Sequence, residues 1–199
     1  MKNYLPTAPT VAMKTMRNAL AGSAVAALLL PGIAGAVLKT DPAASSVSAT
    51  FKQLNVPVEA KFRKFTARID YDASKAAAAK ASVEIDVPSF DLGDPDYNKE
   101  VLKKEWFNAA QFPTASFVST AIVPMPGPAG RLTVSGKLTL KGKTTDVSFP
   151  LTVKQDGGRQ VFDGALPIKR LTYGIGEGEW KDTSVVADEV IIKFHVVAS

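Results

Sequence analysis

Hydrophobic and polar residues alternate along most of this chain. Val47, Ala49 and Phe51 share one face of Ser46–Gln53, against Ser48, Thr50 and Lys52 on the other. Phe65, Ala67, Ile69 and Tyr71 repeat the pattern, as do Val83-Ile85-Val87, Leu132-Val134-Gly136-Leu138-Leu140, Val147-Phe149-Leu151-Val153 and Val190-Ile192-Phe194-Val196. A period of two means strands with one apolar and one wet face. Ser116–Val123 and Phe162–Ile168 are more evenly apolar but also strand-like, which brings the expectation to eight strands. Short links at Pro126–Gly130, Lys141-Gly142-Lys143 and Asp156-Gly157-Gly158 are hairpin turns, too short for parallel crossovers.

One stretch departs from this period. Asp94-Pro95-Asp96 reads as an N-cap, a proline in the first turn and an acid beside the helix dipole. Tyr97, Val101, Leu102 and Trp106 then fall on one helical face, and Pro113 sets the latest end. The reading is all-β: an eight-stranded antiparallel, lipocalin-like barrel with one amphipathic helix as its lid, preferred over a sandwich. Alternation alone does not separate a filled core from a cavity.

The N-terminus changes the meaning of composition and charge. Residues 1–36 hold Lys2, Lys14 and Arg17, no acid, an apolar run from Ala19 to Leu30, and a small-residue ending Ala34-Gly35-Ala36. This is the pattern of a secretory signal peptide, with cleavage expected after Ala36. Residues 37–45 then read as a linker and 46–199 as the binding domain. Removing three cations from 24 leaves 21 against 19 acids, a charge of +2 where the full chain has +5. Basic and acidic residues interleave, so nucleic acid is not an expected partner. The absence of cysteine excludes disulfides, thiolate chemistry and lipoprotein anchoring, and a single histidine excludes a multi-histidine metal site.

The remaining polar candidates are weak. His195 falls on the wet face of the last strand. Asp91, Asp94 and Asp96 suit helix capping better than a catalytic carboxylate pair, and Gly174–Gly178 lacks the strand–loop–helix setting of a nucleotide site. No catalytic residue, no metal and no cofactor is expected, and the protein is read as not an enzyme. A glycosidase with loop carboxylates remains a minor alternative. An apolar interior instead points to a hydrophobic ligand or lipid. The residues expected to bind it are Phe51, Phe65, Phe117 and Phe149 as wall, Trp106 and Phe107 on the helix side, and Gln53 pointing inward at a strand end.

Four stretches in order carry a resemblance. They are Trp106-Phe107 with Phe112–Ser119, Gly136–Thr144, Arg170–Gly176 and Asp188-Glu189-Val190. In these the chain resembles the YceI-like family of secreted lipid-binding proteins over about 46–197. The resemblance implies an eight-stranded lipocalin-like barrel, a polyisoprenoid, quinone or fatty acyl ligand, a periplasmic location and no catalytic residues. It also implies a histidine in many members where this chain has Gln53. A filled barrel that acts as a protein-interaction or stress factor is the alternative from another class. No stable membrane anchor is expected after cleavage, and the oligomeric state is open, a homodimer included.

Overall fold

The computed structural model describes residues 37–199; the expected signal peptide lies outside them. Eleven strands form one antiparallel sheet. They are β1 (Val37–Leu38), β2 (Ser46–Gln53), β3 (Val56–Phe62), β4 (Phe65–Asp70), β5 (Lys80–Asp86), β6 (Phe90–Asp91), β7 (Thr114–Pro124), β8 (Arg131–Leu140), β9 (Lys143–Asp156), β10 (Arg159–Lys169) and β11 (Val186–Ala198).

The pairing register reconciles eleven strands with the expected eight. β1 pairs with β4 and β2 with β3, while β5 pairs with β4 and β6 with β3. Each of these pairs, β1 with β2, β3 with β4, and β5 with β6, therefore occupies one lane of the wall, interrupted once. Three broken lanes and the five unbroken strands β7–β11 make eight lanes. The first lane also meets the last. β2 pairs with β11, Thr40 bridges Ala198, and Lys39 and Ser199 exchange backbone hydrogen bonds at 2.8 and 3.0 Å. The sheet thus curls round on itself as a lipocalin-like barrel.

Two expectations need correcting here. Residues 37–45 were expected as a linker, but 37–41 form part of the wall. β3 was absent from the expected strands because Pro57 interrupts its reading. It is tolerated because β6 covers only Lys61 and Phe62, so the outer edge of β3 at position 57 needs no N–H donor. Leu54 and Asn55, both at positive φ (49° and 64°), turn β2 into β3 in a type I′ hairpin. Lys141-Gly142 and Gly157-Gly158 make the expected tight turns in the same way.

The helix α1 (Pro95–Val101) is shorter than expected. Asp94 caps it through its carboxylate, accepting from the N–H groups of Asp96 and Tyr97 at 2.8 and 3.2 Å. Beyond Val101 the chain turns tightly: Phe107 N–H donates to the Val101 carbonyl and Asn108 takes φ 49°. Trp106 is therefore not on the helix. Neighbouring helical positions point about 100° apart, and the turn lets both Trp106 and Phe107 face the barrel mouth.

Candidate functional site

Inward-facing side chains surround two adjoining cavities. The inner one, about 130 Å³, is lined by Ile69, Val83, Phe117, Leu138, Phe149 and Phe194 among others, and no polar atom faces it. Burial pushes the Tyr71 hydroxyl above its ordinary pKa, with the charge of Asp72 adding to the effect. The outer one, about 380 Å³, opens at the end formed by the β2–β3 hairpin, α1 and the loops after β10. Phe62, Leu140 and Ile192 line both, so the two cavities adjoin across these side chains.

Strand parity explains how the inner cavity is shaped. Phe117 and Phe149 lie 5.5 Å apart between ring centroids, and Phe149 and Phe194 lie 5.2 Å apart at 72°. Gly136 on β8 and Gly164 on β10 are the seats of the two outer rings. A Cβ at Gly136 would fall 2.6 Å from Phe117, and one at Gly164 would fall 2.2 Å from Phe194. Without side chains at these positions the rings lie back against the wall.

Six of the seven expected binding residues line the cavities. Phe117 and Phe149 line the inner one, while Phe51, Gln53, Trp106 and Phe107 line the outer. Phe65 lines neither. It has the inward parity of Ala67 and Ile69, but it starts β4 at the lane break and faces a shallow cleft with Arg63, Lys64 and Pro113.

The mouth holds a group the residue-by-residue reading passed over. Arg170 is 2% exposed and lines the outer cavity. Its Nε donates to the Ala187 carbonyl, Nη1 to those of Ile175 and Gly176, and Nη2 to those of Trp180 and Val186, at 2.7–3.1 Å. All five N–H groups are used, and the charge is met by carbonyl dipoles. Burial lowers the Arg170 pKa and nearby Asp188 works against that shift; an arginine still stays charged at neutral pH. Its guanidinium carbon sits 5.8 Å from the Trp106 ring centroid, and Trp180 packs on Trp106 at 5.3 Å. Strand parity was the available signal, since Arg170 continues the inward series Phe162, Gly164, Leu166, Ile168.

The glycine loop is built around this arginine. Gly174, Gly176 and Gly178 take φ of 70°, 75° and 65°, and a Cβ at Gly176 would lie 2.2 Å from Arg170 Nη1. Lys141 closes the loop from the β8–β9 turn, donating to the Gly174 carbonyl and pairing with Glu177 at 3.3 Å. The loop is thus a rim clamp.

The other polar candidates are structural ties. His195 Nδ1 and Asp163 Oδ1 are 2.7 Å apart across β10 and β11 on the outer face. Asp182 accepts from the backbone and hydroxyl of Ser184, which lowers its pKa. Asp91 accepts from Asn98, Gly93 and Arg63, and Asp94 caps α1. Among the described residues no helix is long and apolar enough to cross a membrane.

Comparison with known proteins places this architecture. The model of the YceI-like domain matches residues 38–198. A UPF0312 protein of Shewanella denitrificans is 31% identical over 173 residues, covering 80% of this chain and 87% of that protein. The crystal structure of BcnA from Burkholderia cenocepacia is 55% identical with a TM-score of 0.78, covering 81% of this chain and all of that one. A polyisoprenoid binding domain from Saccharophagus degradans shares the fold at 18% identity, with a TM-score of 0.63 and coverage of 82% and 97%. Eight lanes, a rim clamp and a match along almost every described residue lead to one assignment: this chain belongs to the YceI-like family.

Proposed function

We propose that this protein binds a single-chain amphiphile of the polyisoprenoid, quinone or fatty acyl type inside its barrel, in the periplasm, without acting as an enzyme. The observation that carries the reading is an apolar inner cavity that adjoins a wider, mostly apolar one at the barrel mouth. The fold shared with a polyisoprenoid binding domain supports the same ligand class. Phe117 and Phe149 contact the tail; Phe51, Gln53, Trp106 and Phe107 surround the portion nearer the mouth. Phe65 packs against the edge of the hydrophobic core and not on the ligand.

The energetics need no covalent chemistry. Removing roughly 300–500 Å² of isoprenoid or acyl surface from water contributes about 7–12 kcal/mol before the costs of ordering. The signal-peptide pattern of residues 1–36, ending just before the family match starts at residue 38, supports the periplasmic assignment.

The test is native mass spectrometry of protein expressed with its full N-terminus and purified without detergent, followed by lipid extraction. The expected spectrum shows a chain that begins at Val37 and carries one uniform lipid mass. Ligand-free protein that also takes up no added quinone or isoprenoid alcohol would overturn the binding reading. A chain that still begins at Met1 would overturn the cleaved leader.

A further inference from the structure

We infer that Tyr71 and Phe162 close the far end of the barrel and set the longest tail it accepts. This rests on the lipid-binding reading and assigns its length specificity to named residues. The chain leaves the mouth at the β2–β3 hairpin and runs down β3 and then β4, so Tyr71, just beyond Asp70, stands at the opposite end. Phe162 stands at that end too, near the start of β10, because β10 finishes at the mouth beside Arg170. Both line the inner cavity.

Their lanes are not neighbours. The lanes of β2 and β11 separate β10 from the lane that β3 and β4 share. The two rings nevertheless meet, with centroids 5.6 Å apart and planes at 89°. A contact between lanes so placed crosses the interior, and this one does so as an edge-to-face pair, a favoured aromatic geometry. Tyr71 is 9% exposed and Phe162 3%. After Tyr71 the chain turns back on itself. Asp72 accepts from the Ser74 N–H and hydroxyl at 2.8 and 2.7 Å, short 3₁₀ turns follow over Ala73–Ala78, and Ala79 and Ala81 rejoin the cavity wall. Since no polar atom faces the cavity, the Tyr71 hydroxyl is directed away from it and the ring presents only carbon.

The depth above this floor is finite. On β8 the cavity is lined from Leu140 at the mouth down to Leu132. That stretch of strand, rising about 3.4 Å per residue and tilted about 40° to the barrel axis, gives roughly 20 Å of reach. A methylene that enters this space leaves water and adds affinity. One that meets the two rings adds nothing, because passing them means parting a buried aromatic pair. Affinity therefore climbs with tail length and then stops.

An equimolar mixture of straight-chain primary alcohols from C10 to C24, presented on methyl-β-cyclodextrin, tests this. The alcohols retained by the protein are extracted and quantified by gas chromatography. For the wild type the retained fraction should pass through a maximum at one length, since longer chains go on gaining contact with the carrier but not with the barrel. In Tyr71→Ala the maximum should move to longer chains. Retention of the alcohol two carbons beyond the wild-type maximum should rise about tenfold, equivalent to about 1.4 kcal/mol, close to the worth of two methylenes. Tyr71→Phe, which keeps the ring, should restore the wild-type maximum. A measurement on the wild type alone decides the matter if the alanine variant does not fold. With the best-retained alcohol carrying ¹³C in its terminal methyl group, nuclear Overhauser contacts should run from that methyl to the Tyr71 and Phe162 rings. A profile without a maximum, a maximum unmoved in folded Tyr71→Ala, an equal shift in Tyr71→Phe, or terminal-methyl contacts confined to Phe51 and Gln53 would each overturn the length assignment. Retention of no alcohol at all would overturn the lipid-binding reading as well.

Discussion

Asp91 joins three parts of the barrel through one carboxylate. Its Oδ1 accepts from Gly93 N–H and Asn98 Nδ2 at 2.8 and 3.0 Å, and its Oδ2 accepts from Arg63 Nε at 2.9 Å. The Asn98 hydrogen bond, then Gly93 and Arg63, hold its pKa down at about 2. A depressed carboxylate pKa gives stability that is complete above the unfolded value near 4 and lost as pH falls towards 2. Asp91→Asn is therefore expected to melt below the wild type at neutral pH, with the gap constant down to about pH 4 and closing towards pH 2. Melting curves across that range check it; a gap independent of pH would contradict the linkage. At this scale the sequence was only partly legible. Asp94 declared itself as a cap because Pro95 and Asp96 follow it. Asp91 did not, since its partners come from the β3–β4 break and from α1. Arg170 was hidden by its charge, although its parity placed it inside.

The elements were the most legible level. Alternation marks a strand wherever one face is wet, and β8 shows it over its whole length. It failed where a local device interrupts it: Pro57 in β3, or two-residue pieces such as β1 and β6 that are too short to show a period. The helix failed differently. Its apolar spacing continues to Trp106, yet the chain leaves the helix at Val101 because Trp106 and Phe107 must both face the cavity. The glycines within strands are a further element-scale device, and sequence showed only that they weaken a strand. In Gly164→Ala the new methyl group meets the Phe194 ring directly opposite, and Phe149 blocks its retreat. The substitution should destabilise the fold by about 1–3 kcal/mol through overpacking. Urea denaturation measures that loss, and a stability unchanged from wild type would refute the account.

At the scale of the molecule, eight lanes were foreseeable but the way they close was not. The sequence of 37–45 has too little alternation to read as wall, and its pairing partners are β4 on one side and residues 197–199 on the other. Deleting 37–45 uncovers Ala198 and Ile69, buried to 1% and 7% exposure, and leaves edge N–H and C=O groups of β4 and β11 unpaired. A chain starting at Ser46 should be less stable by about 3 kcal/mol or more. Its urea midpoint, compared with that of the chain starting at Val37, decides the matter; equal midpoints would show that the seam is dispensable.

The Thr40–Ala198 bridge also sets the order in which the chain can fold. Like the neighbouring Lys39–Ser199 pair, it joins residues about as far apart in sequence as the described chain allows, so closure carries a large loop entropy. Every other lane pairs with one that immediately precedes or follows it, and those hairpins can form as they are synthesised. The ring cannot be completed until the final strand has been made. Until then the chain is an open sheet with a free edge at each side, prone to mispairing. A chain whose closing contact joins its first and last described strands therefore reaches its closed state last and all at once.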